Sequence, residues 1–304
     1  MRVLIAGREG QVARALVAKL GAAGHATVAL EPPALDITSA DSIAAAMREA
    51  TPDLVVNAAA YTAVDRAEDD EATALAVNAT GAGLLAGAAA AAGLPFVHYS
   101  TDYVFDGTKG APYTEEDAPS PTGAYGRTKL AGERAVLAAN PRSVILRTAW
   151  VCSPDGGNFV KTMLRLGRER PQVSVVADQH GAPTFADDLA AAVVAMAPRL
   201  VAAPAGDAAF GVFHLTGAPH TTWHGFAEAI FAGAAARGQK APELRAIATH
   251  EYPTRAVRPA DSRLDCGKIE RIHGIRAADW RAGLEACLDA LAGPRTGRAD
   301  EGRG

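Results

Sequence analysis

Along the first half of the chain, short unbroken apolar runs alternate with longer amphipathic ones. Arg2–Ala6 is too short for alternation and apolar from Val3 on, which predicts a strand buried on both faces of a parallel sheet. An amphipathic run follows to about Ala23. The same rhythm recurs, with strands predicted at Ala26–Leu30, 53–57, 95–99 and Ser143–Thr148. Helices are predicted after Ser39 as N-cap, over 64–92, and from Tyr125 to about Asn140. Strand alternating with helix makes the fold class α/β, a Rossmann-type doubly wound parallel sheet over 1–150.

After Val151 the spacing changes. Helices over 158–168, 186–197 and 222–237 are expected, with strands at 173–176 and 212–215. This predicts a smaller substrate-binding part over 151–292, interwoven with the tail of the sheet. The stretch 293–304 is polar and rich in Gly and Arg, and is expected to be a disordered tail.

Composition narrows the classes. The 304 residues are 49% hydrophobic and 21% charged, as in a soluble globular protein. A net charge of −4 gives no polybasic surface for nucleic acid. Cys152, Cys266 and Cys287 are odd in number and lack metal-ligand spacing, which fits a reducing cytoplasm. The apolar run at the N-terminus is too short for a signal peptide. The Ala/Gly stretch 80–96 reads as a buried helix rather than a membrane span. No nucleic-acid, membrane or metal partner is expected.

The candidate chemistry starts behind the first strand. Gly7-Arg8-Glu9-Gly10-Gln11-Val12-Ala13, between a strand and a helix, is a dinucleotide-binding arrangement. Gly7 permits the tight turn, and Gly10 lets a pyrophosphate approach the helix N-terminus. Glu31, closing the second strand, suits ribose hydroxyls and so NADH, whereas Arg8 could pair with a 2′-phosphate. Cofactor preference stays open between NADPH and NADH. Asp36 has two readings, an adenine neighbour or an ordinary cap. Small residues in Ala58-Ala59-Ala60-Tyr61-Thr62 let a flat ligand lie against a strand end.

Tyr125 and Lys129 lie four residues apart, one turn apart on one helical face. A free phenol is a sluggish acid at neutral pH, and a nearby ammonium lowers its pKa. The hydroxyls of Ser100 and Thr101, at the end of the fourth strand, could bond both a substrate carbonyl and that phenol. Asn78, in an Ala-rich helix, is a candidate for a structural network. Arg258, Ser262 and Arg263 could hold a diphosphate or form surface salt bridges. Trp150 could stack on a sugar or serve the core. His214 and His224 read as packing or capping residues.

Taken together, Gly7-x-x-Gly10, Asn57-Ala58-Ala59-Ala60, Tyr99-Ser100-Thr101-Asp102-Tyr103-Val104-Phe105 and Tyr125-Gly126-x-Thr128-Lys129 resemble the extended short-chain dehydrogenases/reductases. Lys129-Leu130-Ala131-Gly132-Glu133, Arg147-Thr148-x-Trp150-Val151, Asp178-Gln179-x-Gly181-Ala182-Pro183-Thr184 and Arg258-Pro259-x-x-Ser262-Arg263-Leu264 make the chain similar to the dTDP-4-dehydrorhamnose reductases. The resemblance covers about 1–290. It implies reduction of the C4 ketone of dTDP-4-dehydro-L-rhamnose by NADPH or NADH, the last step of dTDP-rhamnose synthesis. It implies Tyr125 as proton donor, Lys129 as its pKa-lowering and ribose-holding partner, and Thr101 as support for the phenol and the substrate carbonyl. Gln11, Val12, Asp36, Ile37, Ala60, Tyr61, Thr62 and Tyr99 are implied for the cofactor. Thr101, Asp102, Tyr103, Trp150 and Arg258 are implied for the nucleotide sugar. Tyr61 stands where some relatives have His. Ala15, Asp187 and Arg281 stand where some members bridge a dimer through metal, so a monomer or weak homodimer is expected. An epimerase of the same fold and a non-catalytic subunit are the alternatives; the second would be expected to lack Tyr125 or Lys129.

Overall fold

Six parallel strands build the central sheet of the computed structural model, which describes residues 1–292. They are β1 Arg2–Ala6, β2 Ala26–Leu30, β3 Leu54–Asn57, β4 Phe96–Thr101, β5 Ser143–Thr148 and β6 Gly211–His214. Their spatial order is β6-β5-β4-β3-β1-β2. β3, β4 and β5 are buried at every position, which is why they read as unbroken apolar runs. Helices α1 Gln11–Ala22 and, from the second half, Ala186–Ala202 cover one face; Leu16, Leu20, Leu189 and Val193 pack there on Val3, Ile5 and Leu146. The other face carries Ala40–Ala50, the helical stretch 71–91 and Ala124–Ala139, with Ile43, Leu85 and Val136 on Leu4, Val55 and Phe96.

Several boundaries differ from expectation. The helix expected over 64–92 is broken into Val64–Ala67, Glu71–Leu75, a π-helical turn Ala76–Gly81, and Ala82–Ala91. The break falls where the N–H groups of Asp69 and Asp70 both turn back to the Arg66 carbonyl. Glu71–Ala91 is long and apolar enough by composition to cross a bilayer; here Ala82, Leu85, Ala86 and Ala89 are buried against the sheet. β4 runs on to Thr101 because Ser100 and Thr101 pair with Arg147 and Thr148. The helix starting at Ala186 continues past Pro198 to Ala202, with Leu200 fully buried beneath it, so core packing outweighs the lost backbone bond.

The second half has its own core. Val160, Met163, Phe226, Ile230, Trp280 and Leu284 meet between Phe159–Glu169, Trp223–Ala235 and Trp280–Ala292. Gln172–Val176 pairs in parallel with Glu243–Ile247, a strand the pattern missed because it is mostly exposed. The tail expected over 293–304 lies outside the described residues.

Candidate active site

All six strands point the same way, so their C-terminal ends share one edge of the sheet. The connections diverge there between β1 and β3, and open α/β sheets bind ligands at such a point. Gly7, directly after β1, has φ +110°, a region hostile to side chains, and a Cβ there would stand 3.3 Å from the Ala58 carbonyl carbon. Gly10 caps α1. No side chain caps that helix, and no atom stands within 4 Å of where a Gly10 Cβ would be. The helix N-terminus is thus left as an open anion cradle.

The other expected cofactor residues fall around this turn in different ways. The Glu31 carboxylate accepts from the Glu9 N–H at 3.1 Å. Arg8 is exposed, 3.6 Å from the Glu9 carboxylate. Val12 packs on the core, and the side-chain carbonyl oxygen of Gln11 accepts from Ser153 (3.1 Å) and Asn158 (2.8 Å), tying the turn to the second half. Asp36 closes a local turn with Thr38, whose hydroxyl and N–H hold the carboxyl below its ordinary range. Ile37 is a core residue packed against Gly81. Asn78, within the π-helical turn, accepts from Tyr61 N–H at 2.9 Å and donates to Tyr61 O at 3.1 Å, fixing the strip Ala60, Tyr61 and Thr62. Its network role is as expected from the sequence. The Tyr99 phenol turns toward the Leu189 carbonyl at 3.4 Å, while its backbone carbonyl faces the Tyr–Lys helix.

Two glycines decide where the Tyr–Lys helix sits. A Cβ on Gly126 would lie 2.1 Å from the Tyr103 carbonyl oxygen, and one on Gly132 2.0 Å from that of Asn78. Ala124–Ala139 can therefore press into its neighbours, bringing Tyr125 to the strand ends. Thr128 donates to the Tyr125 carbonyl at 3.0 Å and accepts from Asn78 at 3.2 Å. One turn on, the Glu133 carboxylate takes both arms of the Arg147 guanidinium, at 2.8 and 2.7 Å, with all three groups buried; Ser100 also donates to it. Ser100 thus braces this pair rather than the phenol.

Tyr125 is half-buried. Burial, then the Asp102 charge, then Tyr103 push its phenol well above the ordinary value, while a bond with the Thr101 hydroxyl opposes them. The expected lowering by Lys129 is corrected: Lys129 is buried and points inward. Its Nζ donates to the Tyr99 carbonyl at 2.6 Å and lies 3.3 Å from His98 Nε2. Burial lowers the Lys129 pKa to about 8 against a smaller opposing effect of Glu133.

On the substrate side, Thr101 donates to the Asp102 carboxylate at 2.9 Å, and Ser262 donates to its other oxygen. Burial outweighs these bonds and raises the Asp102 pKa to about 6. Tyr103 meets Tyr125 edge to face at 5.5 Å and accepts from Arg258 at 3.0 Å. Arg258 also pairs with Asp65 at 2.6 Å, and Arg263 pairs with Asp261 at 2.7 Å. Of the three residues considered for a diphosphate, both arginines are thus engaged in ion pairs and Ser262 donates to Asp102, and Arg258 alone lines the cavity beside Tyr103. Trp150, at φ +50°, stacks on Trp223 with centroids 3.6 Å apart. A cavity of about 540 Å³ opens beside Tyr103 and Arg258, walled by Phe159, Trp223, Gln179 and Tyr252. Trp223 and His98 were missed; Trp223 carried no motif signal, and His98 sits in a strand that read as core.

A protein-family model described as the RmlD substrate binding domain matches residues 1–292. A dTDP-4-dehydrorhamnose reductase of Sinorhizobium fredii is 45% identical over 291 residues, covering 96% of this chain and 98% of that one. The crystal structure of a dTDP-4-dehydrorhamnose reductase from Clostridium acetobutylicum superposes with a TM-score of 0.89 at 37% identity, over 96% of this chain and 99% of the other. A Bacillus anthracis dTDP-4-dehydrorhamnose reductase in complex with NADP gives 0.85 at 34% identity, over 94% and 98%.

Proposed function

The chain belongs to the RmlD substrate-binding-domain family, and from that membership we infer an NAD(P)H-dependent oxidoreductase. It reduces the C4 ketone of dTDP-4-dehydro-L-rhamnose to dTDP-L-rhamnose, the last step of dTDP-rhamnose biosynthesis. The observation that carries the mechanism is the meeting of Tyr125 and Thr101 at the sheet edge that also bears the Gly-rich turn.

The open space at Gly10 and the uncapped start of α1 fit a pyrophosphate, with Glu31 and Arg8 at the ribose end. Bound there, the reduced nicotinamide supplies the hydride. Tyr125 supplies the proton. Its raised pKa keeps the phenol protonated at neutral pH, the form a reduction needs. As negative charge grows on the C4 oxygen, the Tyr125 O–H bond breaks and a bond from that hydrogen to the C4 oxygen forms. Thr101 steadies the phenol, and Lys129, one turn along the helix, holds the cofactor's ribose. Asp102 and Trp150 orient the sugar. The cavity beside Tyr103 takes the nucleotide, its aromatic walls facing the base and Arg258 its phosphates. Residues 1–150 together with 186–214 make the dinucleotide-binding part, and the rest of 151–292 the substrate part. The working assembly is a monomer or weak homodimer in the cytoplasm, checked by light scattering and fractionation.

The direct test is loss of reduced-nicotinamide absorbance when purified protein meets NADPH or NADH and dTDP-4-dehydro-L-rhamnose. Oxidation with dTDP-L-rhamnose as product is expected. A folded, cofactor-binding protein that oxidises neither cofactor would overturn the assignment.

A further inference from the structure

His98 lies on β4 directly beside Asn57 on β3, and the two are register partners with side chains on one face. Both are fully buried, as is Lys129. The Ala59 N–H donates to Asn57 Oδ1 at 3.1 Å, which settles how the amide is turned. Asn57 Nδ2 therefore faces His98 Nδ1 at 3.1 Å as a donor, so Nδ1 must accept. A neutral ring then carries its proton on Nε2, the atom 3.3 Å from Lys129 Nζ.

We propose that His98, locked as the Nε2–H tautomer by Asn57, is a positioning residue that sets the orientation and charge of Lys129. An ammonium has no lone pair, so it and an Nε2–H oppose one another as two donors. A neutral amine accepts from Nε2–H while donating to the Tyr99 carbonyl. The contact thus favours the amine, and a protonated Lys129 keeps only Tyr99 as an acceptor on that side. The chain of bonds also links Lys129 to the backbone of Ala59, within the strip expected to face the cofactor.

The surroundings leave His98 as the group that sets this balance. Burial and Lys129 both hold its ring well below its ordinary pKa, so it stays neutral. Phe96 stacks near it, 6.5 Å away. Glu133, on Lys129's own helix, favours the ammonium but is engaged by Arg147 from β5. Asn78, from the π-helical turn, and Thr128, on Lys129's own helix, are uncharged, and Tyr125 stays a neutral phenol.

The inference rests on the reductase reading for its kinetic arm and not for its spectroscopic one. In the full-length protein labelled with 15N-histidine, NMR should show His98 with a bare Nδ1 and a protonated Nε2, the signal being identified by its loss in His98→Gln. Asn57→Asp should move that proton to Nδ1. The glutamine amide introduced by His98→Gln can offer an oxygen to the ammonium. That variant should therefore shift the alkaline limbs of kcat/KM and of NADPH affinity upward by about one pH unit. A wild-type Nδ1–H tautomer would overturn the proposal, as would unmoved limbs in a folded, NADPH-binding His98→Gln. If wild type turns over no ketosugar, the reductase reading fails, while the tautomer and NADPH-affinity measurements still decide this one.

Discussion

Tyr125 and Lys129 stand on a helix gripped from three sides, whereas Trp150, Arg258 and Ser262 reach the same cleft from segments far apart in sequence. The first flank is dense with buried polar pairs: Asn78 to Thr128, Glu133 to Arg147, His98 to Lys129. The second is held by a few long-range contacts, such as Arg258 to Asp65 and Ser262 to Asp102. The difference follows the tasks. Proton transfer needs one geometry held tightly. A sugar nucleotide needs a surface that can be assembled around it. Buried polar pairs therefore concentrate on the flank that carries Tyr125 and Lys129.

The largest expected effect strikes that flank directly. Tyr125→Phe should cut kcat by about 10²- to 10⁴-fold while NADPH binding, read by fluorescence titration, persists; near-normal turnover would remove the phenol from the mechanism. Next comes the grip itself. Gly132→Ala forces a methyl to 2.0 Å from the Asn78 oxygen and should cost about 3 kcal/mol in denaturant unfolding. Gly10→Ala meets nothing within 4 Å and should cost at most about 1 kcal/mol, yet weaken NADPH binding. Equal losses would mean the two glycines serve the same purpose.

Asp102 sharpens the comparison through pH. Its folded pKa of about 6 stands above the ordinary 3.8, so the fold favours the protonated form. Its stabilising share is complete below about 3.8 and is lost as pH rises through about 6. Asp102→Asn should flatten that decline by about 2 kcal/mol between pH 4 and 7 in unfolding titrations. A parallel decline in both proteins would place the charge in water. The smallest effect lies at the cofactor's far end. Exposed Arg8 should contribute only about three- to tenfold in KM for NADPH, lost in Arg8→Ala with NADH unaffected. Equal weakening of both cofactors would dismiss it as a reader of the 2′-phosphate.

How much of this was legible depended on how local the signal was. β1 and β5 were readable to the residue because buried parallel strands leave short apolar runs, and β2 because its run stays mostly apolar even at the half-exposed edge of the sheet. The Tyr125–Lys129 pair was readable because helical spacing alone brings it together. The direction of the Tyr125 shift was not, since it depends first on burial, then on Asp102 and Tyr103 across the cleft, with Lys129 turned inward. Arg258 and Arg263 looked alike in sequence; only the fold pairs Arg263 with a neighbour two residues away and Arg258 with Asp65 from the distant first half, on the wall of the cavity. Trp223 has no motif, and its place against Trp150 comes from packing of the second core.

The last strand of the sheet has a consequence for how the molecule comes into being. β6 and the helix over Ala186–Ala202 belong to the first part but leave the ribosome after about sixty further residues beyond Thr148. At roughly 5–20 residues per second, the nascent sheet waits several seconds with Leu146 and the inner face of α1 uncovered. A chain cut near residue 150 would carry both Tyr125 and Lys129 and still expose that apolar flank to any neighbour. The order of synthesis thus places the greatest risk of misassembly before the enzyme has any chemistry to offer.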